Sequence, residues 1–215
     1  MPWTFNLPDA GYEAAWKQLI DPTAFWAPAG ITTAERRHAK FRTHGVGRCE
    51  WDGPCWPFAT SQTLDALANI LRHYTQSFVT RSHLLDAMKI YAKSHTKNGH
   101  RYIGEYHDEV TGEWLKGDNP RSSFYNHSTF CDLVLRHLVG IEPRADGGVE
   151  IDPLLPADAW DYFCADGIRY HGQALCVIWD KTGNRYQRGS GLTVLLNNKP
   201  IGHRPELGKL TAKMT

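Results

Sequence analysis

Glu105 is the residue whose surroundings indicate chemistry most directly. It lies in the run Gly104-Glu-Tyr-His-Asp-Glu-Val-Thr-Gly112, next to an aromatic ring and ahead of a Thr-Gly turn. A carboxylate on such a loop can move a proton, and nearby aromatic faces can hold a sugar ring, so the segment is typical of sugar hydrolysis. Because cleavage of a glycosidic bond uses two carboxyl groups, Glu105 would supply half of the machinery.

A second informative loop precedes the first strong helix. In the run Cys49-Glu-Trp-Asp-Gly-Pro-Cys-Trp56, Gly53-Pro54 predicts a turn between two tryptophans. Taken singly, Trp51 or Trp56 is explained equally well as packing that anchors the loop. Together with the Glu105 loop, the two rings and Asp52 favour a sugar-binding surface.

These two runs, with the helix start Asn126-His-Ser-Thr-Phe-Cys-Asp-Leu-Val134, resemble the C-terminal part of a six-hairpin (α/α)6 glycoside hydrolase. The similar families are mannosylglycerate-hydrolase-like, trehalase-like and processing-glucosidase-like, and the resemblance covers residues 25–196. Many relatives carry an aromatic residue where this chain has Asn126-His127, which leaves the subfamily open. The resemblance implies that Glu105 is the general base of an inverting mechanism. It also implies that the loop with Trp51, Asp52 and Trp56 lines the sugar pocket. We expect Tyr106 and His127 on the same concave surface as substrate-binding residues, with His127 either a polar wall of the pocket or a partner that contacts Glu105.

The resemblance also implies a general acid, an aspartate that stands in a Gly-Trp-Asp context in an earlier loop. Trp-Asp pairs begin here at Trp51, Trp160 and Trp179, and none follows a glycine. We therefore expect the acid to lie outside these 215 residues.

The length of the chain leads to the same expectation. A ring of twelve helices of roughly 11 or 12 residues each, with connections, needs more chain than the helical segments found here. We predict a fragment of a toroid, from a truncated or a split enzyme, whose partner is the missing N-terminal part of the barrel. A non-catalytic carbohydrate-binding or interaction fragment is the alternative function.

The periodicity of apolar residues predicts helices in the first two thirds of the chain. A short helix is expected over 12–20, an extended loop over 25–33, and a strong helix over 60–74. A second strong helix should begin at Thr80 or Ser82, and Asn98-Gly99 should form a turn. A third helix should follow Asn126 and end at Gly140, with Phe130, Leu133, Val134 and Leu138 buried.

After Gly140 the pattern changes to short strand-like runs separated by turns at Asp166-Gly167, His171-Gly172 and Thr182-Gly183. The strands are expected at 149–153, 160–164, 168–171, 174–179 and 192–196. The predicted fold class is therefore mainly α with a β part: a partial (α/α)6 toroid followed by a small antiparallel sheet. The predicted regions are 1–145 for the barrel portion, 146–202 for the sheet and 203–215 for a loose tail.

Composition excludes some classes of partner. With 24 basic and 23 acidic residues the net charge is +1, so there is no basic footprint for nucleic acid, and no apolar run reaches the roughly 20 residues that cross a bilayer. The compartment is open, with a soluble cytoplasmic protein as the default. Five cysteines without a Cys-x-x-Cys pair, and histidines without helical i, i+4 spacing, predict neither a disulfide framework nor a metal site. No cofactor is expected.

Overall fold

The computed structural model describes residues 1–45, 49–117, 119–125 and 127–214. The chain divides into two compact units, Met1–Phe130 and Cys131–Thr215. The domain limits predicted from the sequence, at residues 145 and 202, stay a prediction.

The first unit is built around a helical hairpin. Helix α2 (Pro57–His73) begins at a proline, which suits the first helical position because its missing N–H would have no partner there. Helix α3 (Arg81–Ser94) follows the predicted N-cap residue, Thr80. The side chain of Thr80 accepts a hydrogen bond from the amide of His83, and the side chain of His83 accepts one from the amide of Thr80. The Ser61 and Tyr91 hydroxyls, one from each helix, lie 3.0 Å apart. Both strong helices are confirmed.

The segments before α2 are shorter and less helical than expected. A 3-10 turn, Glu13–Trp16, continues into α1 (Lys17–Ile20), and Trp16 and Leu19 are buried as predicted. The expected loop over 25–33 is extended, but it pairs with itself as strands β1 (Trp26–Ala27) and β2 (Gly30–Ile31).

After α3, strands β3 (Thr96–Lys97) and β4 (His100–Arg101) flank the predicted Asn98-Gly99 turn.

The third predicted helix is only partly α-helical. Helix α4 (Phe130–Leu133) passes into a π-helical segment, Val134–Val139, that buries Leu138. It ends at the predicted Gly140, where φ is +88° and a side chain would meet the backbone of Asp152 at 2.3 Å. The predicted start at Asn126 falls outside the described residues.

After the π-helical segment, the second unit is built from antiparallel sheets. Strands β5 (Ile141–Glu142), β6 (Gly148–Ile151) and β11 (Leu210–Lys213) form a sheet of order β11-β6-β5. Strands β7 (Tyr162–Tyr170), β8 (Gln173–Asp180), β9 (Gly191–Leu196) and β10 (Lys199–Arg204) form a sheet of order β10-β9-β8-β7. The antiparallel sheet and the His171-Gly172 hairpin turn are confirmed. The Asp166-Gly167 turn is wrong, because that dipeptide lies in a bulge inside the single strand β7.

The loose tail over 203–215 is also wrong. Strand β10 extends to Arg204, and β11 (Leu210–Lys213) pairs with β6. The ammonium of Lys209 lies 2.7 Å from the carboxylate of Glu150. Strand β11 is difficult to recognise in the sequence, because it is four residues long and buries only a small side chain, Ala212.

Helices followed by antiparallel sheets are thus confirmed, and the chain is a mixed α and β protein. The helical content is lower than the predicted mainly α class implies, because α1 and α4 span only four residues each. The toroid remains a proposal. Among the described residues, no helix is long and apolar enough to cross a membrane.

Candidate active site

Two loops of the first unit are joined backbone to backbone. Cys55 and His107 exchange two hydrogen bonds, each with an N to O distance of 3.0 Å, and His107 also pairs with Trp114. His107 is buried, and burial lowers its pKa to about 4, so its ring is neutral at pH 7. This short ladder fixes the Glu105 loop against the loop that carries the tryptophans.

The predicted Thr111-Gly112 turn is present and is held by Asp108. One oxygen of its carboxylate accepts hydrogen bonds from the amides of Val110 and Thr111 at 2.9 and 2.8 Å. The other lies 2.5 Å from the guanidinium of Arg42, which also contacts Glu109 at 2.9 Å. Burial raises the pKa of Asp108, but these hydrogen bonds outweigh it and bring that pKa to about 2.

The aromatic residues of the two loops form one stack. The ring of Trp56 is 4.0 Å from that of Trp51 and 4.9 Å from that of Tyr106, with nearly parallel planes in both pairs. The ring of His127 lies 6.5 Å from Trp56, again nearly parallel. Trp56 and Tyr106 are buried, whereas 45% of Trp51 is exposed. The stack therefore presents Trp51 to solvent and supports it from behind.

A buried carboxylate, Glu50, holds this stack together. Its backbone oxygen accepts a hydrogen bond of 2.6 Å from the indole N–H of Trp56, and its side chain accepts one of 3.2 Å from the hydroxyl of Tyr106. Glu50 is 1% exposed. Glu50 therefore holds both rings, Trp56 through its backbone and Tyr106 through its side chain.

Glu105 lies beside the stack and is only 7% exposed. Its Oε2 atom is 2.8 Å from the ammonium of Lys116 and accepts a hydrogen bond of 2.9 Å from the hydroxyl of Ser122. Its Oε1 atom is 3.9 Å from the thiol of Cys49, a weak donor. One carboxylate oxygen is therefore firmly held and the other is only weakly engaged.

The electrostatic surroundings keep Glu105 ionised. Burial raises its pKa, but the hydrogen bonds from Lys116 and Ser122 and the nearby positive charges of Lys116 and Arg121 outweigh that effect. The pKa of Glu105 is lowered as a result. At neutral pH the residue is a carboxylate, the form that accepts a proton rather than the form that gives one.

His127 completes the group of residues around Glu105. Burial lowers its pKa, and the negative charge of Glu105 acts against this change. Its Nδ1 atom is shielded from solvent and has no hydrogen-bond partner among the described residues. A neutral imidazole with an unused nitrogen can bind a hydroxyl group.

Asp52 has different neighbours. Its Oδ2 atom accepts a hydrogen bond of 3.0 Å from the amide of His44, and its backbone oxygen accepts one of 2.8 Å from Arg42. The other two Trp-Asp aspartates belong to the second unit, where Asp180 caps a turn and Asp161 is exposed. The structure thus brings together Trp51, Trp56, Tyr106, Glu105 and His127. Asp52 instead contacts the 42–44 segment, His44 through its carboxylate and Arg42 through its backbone oxygen.

A cavity of about 370 Å³ lies beside Trp51 rather than at Glu105. Its walls include Trp3, Trp16 and Ile31. The indole nitrogens of Trp3 and Trp16 have no hydrogen-bond partner among the described residues. The cavity and the Glu105 site are therefore different places. The assignment of the Glu105 site rests on its carboxylate and its aromatic neighbours, not on the size of a cavity.

Residues 1–128 match the family described as the mannosylglycerate hydrolase MGH1-like glycoside hydrolase domain. The chain belongs to this family. The glycoside hydrolase resemblance expected from the Glu105 and Trp51 loops is therefore confirmed. Residues 142–203, in the second unit, match the C-terminal domain of glycosyl hydrolase family 65.

A solved structure titled "Sialidase" is similar over almost the whole chain. The two share 53% sequence identity with a TM-score of 0.94, over 98% of this chain and 20% of the solved one. This chain spans about a fifth of the length of that relative.

Several residues of this glycoside hydrolase domain were missed from the sequence. Lys116 and Ser122 lie beyond the recognisable Glu105 run, so no spacing rule connects them to it. Cys49 and Glu50 begin the quoted Trp51 run but were given no role there, and Phe58 follows that run. Phe58 is 44% exposed, with its ring 5.6 Å from that of His127. Of these residues, Phe58 is the one that the sequence could have suggested, because it directly follows Trp56-Pro57. In the described part of the chain, no cluster of three or more acidic, histidine or cysteine side chains is placed to hold a metal.

Proposed function

We propose that this chain is part of an inverting glycoside hydrolase, to which it supplies the general base and part of the sugar pocket. The observation that carries the proposal is the ionised, nearly buried Glu105 beside an aromatic stack with an exposed outer ring. The family supports carbohydrate hydrolysis in general terms. The inverting mechanism and the role of each residue belong to the proposal.

The two oxygens of Glu105 have different tasks in this proposal. Oε2 is held by Lys116 and Ser122, which orients the carboxylate. Oε1, whose described neighbour is the thiol of Cys49, takes a proton from a water molecule. That water attacks the anomeric carbon from the face opposite the leaving group.

The general acid comes from outside these residues. It protonates the glycosidic oxygen as the bond breaks, and in an inverting enzyme it stands roughly 6.5–9.5 Å from the base, so that the water fits between them. Asp52 is a poor candidate for the acid, because its carboxylate already accepts a hydrogen bond from the amide of His44.

The sugar is bound by the residues around Glu105. The exposed face of Trp51, supported by Trp56 and Tyr106, stacks on the C–H face of a ring. His127 bonds a hydroxyl through its unused Nδ1 atom. Asp52 is retained as a second hydroxyl ligand, through its buried Oδ1 atom, which has no hydrogen-bond partner within the described part of the chain. Because the related solved chain is titled "Sialidase", sialosides are the first glycosides to test.

The partner is the remainder of a helical barrel. Four large apolar residues in the first twelve positions are each about half exposed or more: Met1, Phe5, Leu7 and Tyr12. The cavity lined by Trp3, Trp16 and Trp51 opens in the same unit. Such a concentration of exposed apolar side chains favours a protein surface that is covered in the complete enzyme.

A non-catalytic carbohydrate-binding fragment is the second candidate. The exposed Trp51 would serve it equally well, but binding alone gives no reason for the ionised Glu105. The two functions therefore differ in their dependence on that carboxylate.

A chimera tests the proposal. The matching fifth of the related solved chain is replaced by residues 1–215, and hydrolysis of sialosides and other glycosides is compared for the chimera, the unmodified relative and the isolated chain. We expect the chimera to turn over the relative's substrate and the isolated chain to have little or no activity. Robust turnover by the isolated chain, abolished by Glu105→Gln and also by Asp52→Asn, would place the acid inside this sequence and contradict the proposal.

A further inference from the structure

Two cysteines of the second unit are diagonal neighbours on adjacent strands. The sulfur atoms of Cys164 in β7 and Cys176 in β8 lie 3.9 Å apart, and both are free thiols. The strands pair Ala165 with Val177 and then Ile168 with Leu175, so Cys164 lies just before a bulge at residues 166–167 and Cys176 lies opposite that bulge. A bulge of this kind leaves extra backbone length that can absorb a small local adjustment.

The approach needed for a bond between these sulfurs is short. A disulfide has a sulfur–sulfur distance of about 2.05 Å, so the two atoms must move together by roughly 2 Å. Cys164 is exposed and lies opposite Ile178 in a paired strand, which leaves its side chain able to change rotamer. Cys176 is 6% exposed and packs in a small apolar cluster with Ile178 and Leu195.

We infer that Cys164 and Cys176 form a reversible, redox-responsive disulfide across β7 and β8. The oxidant is a small-molecule disulfide such as oxidised glutathione. The Cys164 thiolate attacks it, forming a mixed disulfide and releasing one glutathione thiol. The sulfur of Cys176 then loses its proton and attacks the Cys164 sulfur, which forms the internal disulfide and releases the second glutathione thiol.

The surroundings of the two sulfurs determine the order of these steps. Cys164 can be reached from solvent, whereas Cys176 is covered by its neighbours, including Tyr186. Burial raises the pKa of Cys176 to about 12, with further contributions from Cys164 and from the carboxylate of Asp166 in the bulge. The second step is therefore the slow one, and it should become faster as the pH rises.

The bond would stabilise the second unit. It would close a short loop around the β7–β8 turn, and such a cross-link removes conformational freedom from the unfolded chain. Because the site lies in the sheet region and involves no residue around Glu105, it is independent of the proposed hydrolase function.

The test uses the full 215-residue chain under native conditions with oxidised glutathione, followed by thiol counting, intact mass and peptide mapping. Wild type should lose two of its five thiols and two hydrogen atoms, with residues 164 and 176 linked and a melting temperature several degrees higher. Cys164→Ser should form no link, and Cys176→Ser should stop at the glutathione adduct on Cys164. Cys131→Ser, which removes another exposed thiol, should behave as wild type.

Three results would overturn the inference. They are a wild-type chain that keeps all its thiols, one that stops at the glutathione adduct even at pH 9, and a link that joins other cysteines. A linked chain that melts at a lower temperature than the reduced one would contradict the predicted stabilisation of the second unit, because the bond would then distort the sheet.

Discussion

Cys55 and His107 are paired as neighbouring strands are, through two backbone hydrogen bonds of 3.0 Å. The residue after Cys55 is Trp56, and the residue before His107 is Tyr106, and their rings stack at 4.9 Å. The pairing therefore positions the aromatic stack and, one residue further, Glu105. It explains how two loops distant in the sequence meet at one site.

The two tryptophans of the stack should differ in their effect on stability. Trp56 is 2% exposed and bonds the backbone of Glu50, so Trp56→Ala should lower the free energy of unfolding by about 3–5 kcal/mol. Trp51 is 45% exposed and rests on Trp56 with one face. Trp51→Ala should cost about 1 kcal/mol or less and weaken sugar binding instead. Urea unfolding compares the variants, and an equal or reversed order of stability would contradict the stack described here.

The turn that follows Glu105 should lose stability in acid. The pKa of Asp108 is about 2 in the folded protein, below the ordinary value of 3.8, so its stabilising contribution is present above about pH 4 and is lost as the pH falls toward 2. That difference corresponds to about 2 kcal/mol. Asp108→Asn should therefore be less stable than wild type at pH 7 by about that amount, with a gap that closes toward pH 2. The exposed Asp161→Asn is the control, and a gap independent of pH would refute the assignment.

Lys116 should set the protonation of Glu105. Lys116→Met removes a hydrogen bond and a positive charge from the carboxylate, so the pKa of Glu105 should rise. The midpoint of the Glu105 carboxyl signal, followed by NMR during a pH titration, should move to higher pH. Lys89→Met, which changes an exposed lysine on α3, should leave the midpoint in place. An unchanged midpoint in Lys116→Met would mean that the two groups do not interact in solution.

Strand β11 can be tested by the alternation of its side chains. Ala212 is 8% exposed, whereas its neighbour Thr211 faces solvent. Ala212→Asp should cost about 2–4 kcal/mol, because it buries a charge, and Thr211→Asp should cost about 1 kcal/mol or less. Thermal unfolding of the two variants gives the comparison. Equal effects would support a loose tail after all.

The sequence predicted the elements whose signals are local. The two long helices have strong apolar periodicity, Thr80 caps the start of α3, and the left-handed backbone of Gly140 ends the π-helical segment that follows α4. Prediction from the sequence failed where an element depends on its pairing with another strand. The bulge in β7 depends on pairing with β8, and β11 becomes visible only through β6.

The same distinction applies to the candidate site. Glu105, Trp51 and Trp56 could be found because each lies in a recognisable run, and the structure brings them together with Tyr106 and His127. Lys116, Ser122 and Glu50 act through contacts that no spacing reveals, although the first two control the charge of Glu105 and the third supports the stack.

The most direct test of the account is the effect of Glu105→Gln in the chimera with the related solved chain. If Glu105 is the general base, the substitution should lower kcat for the relative's glycoside by roughly 10²–10⁴-fold, with a smaller change in KM. Glu113→Gln, on the exposed side of the same loop, should leave the rate close to that of the unsubstituted chimera. The matching substitution in the intact relative serves as a second background. Unchanged turnover in both backgrounds after loss of this carboxylate would contradict the central claim.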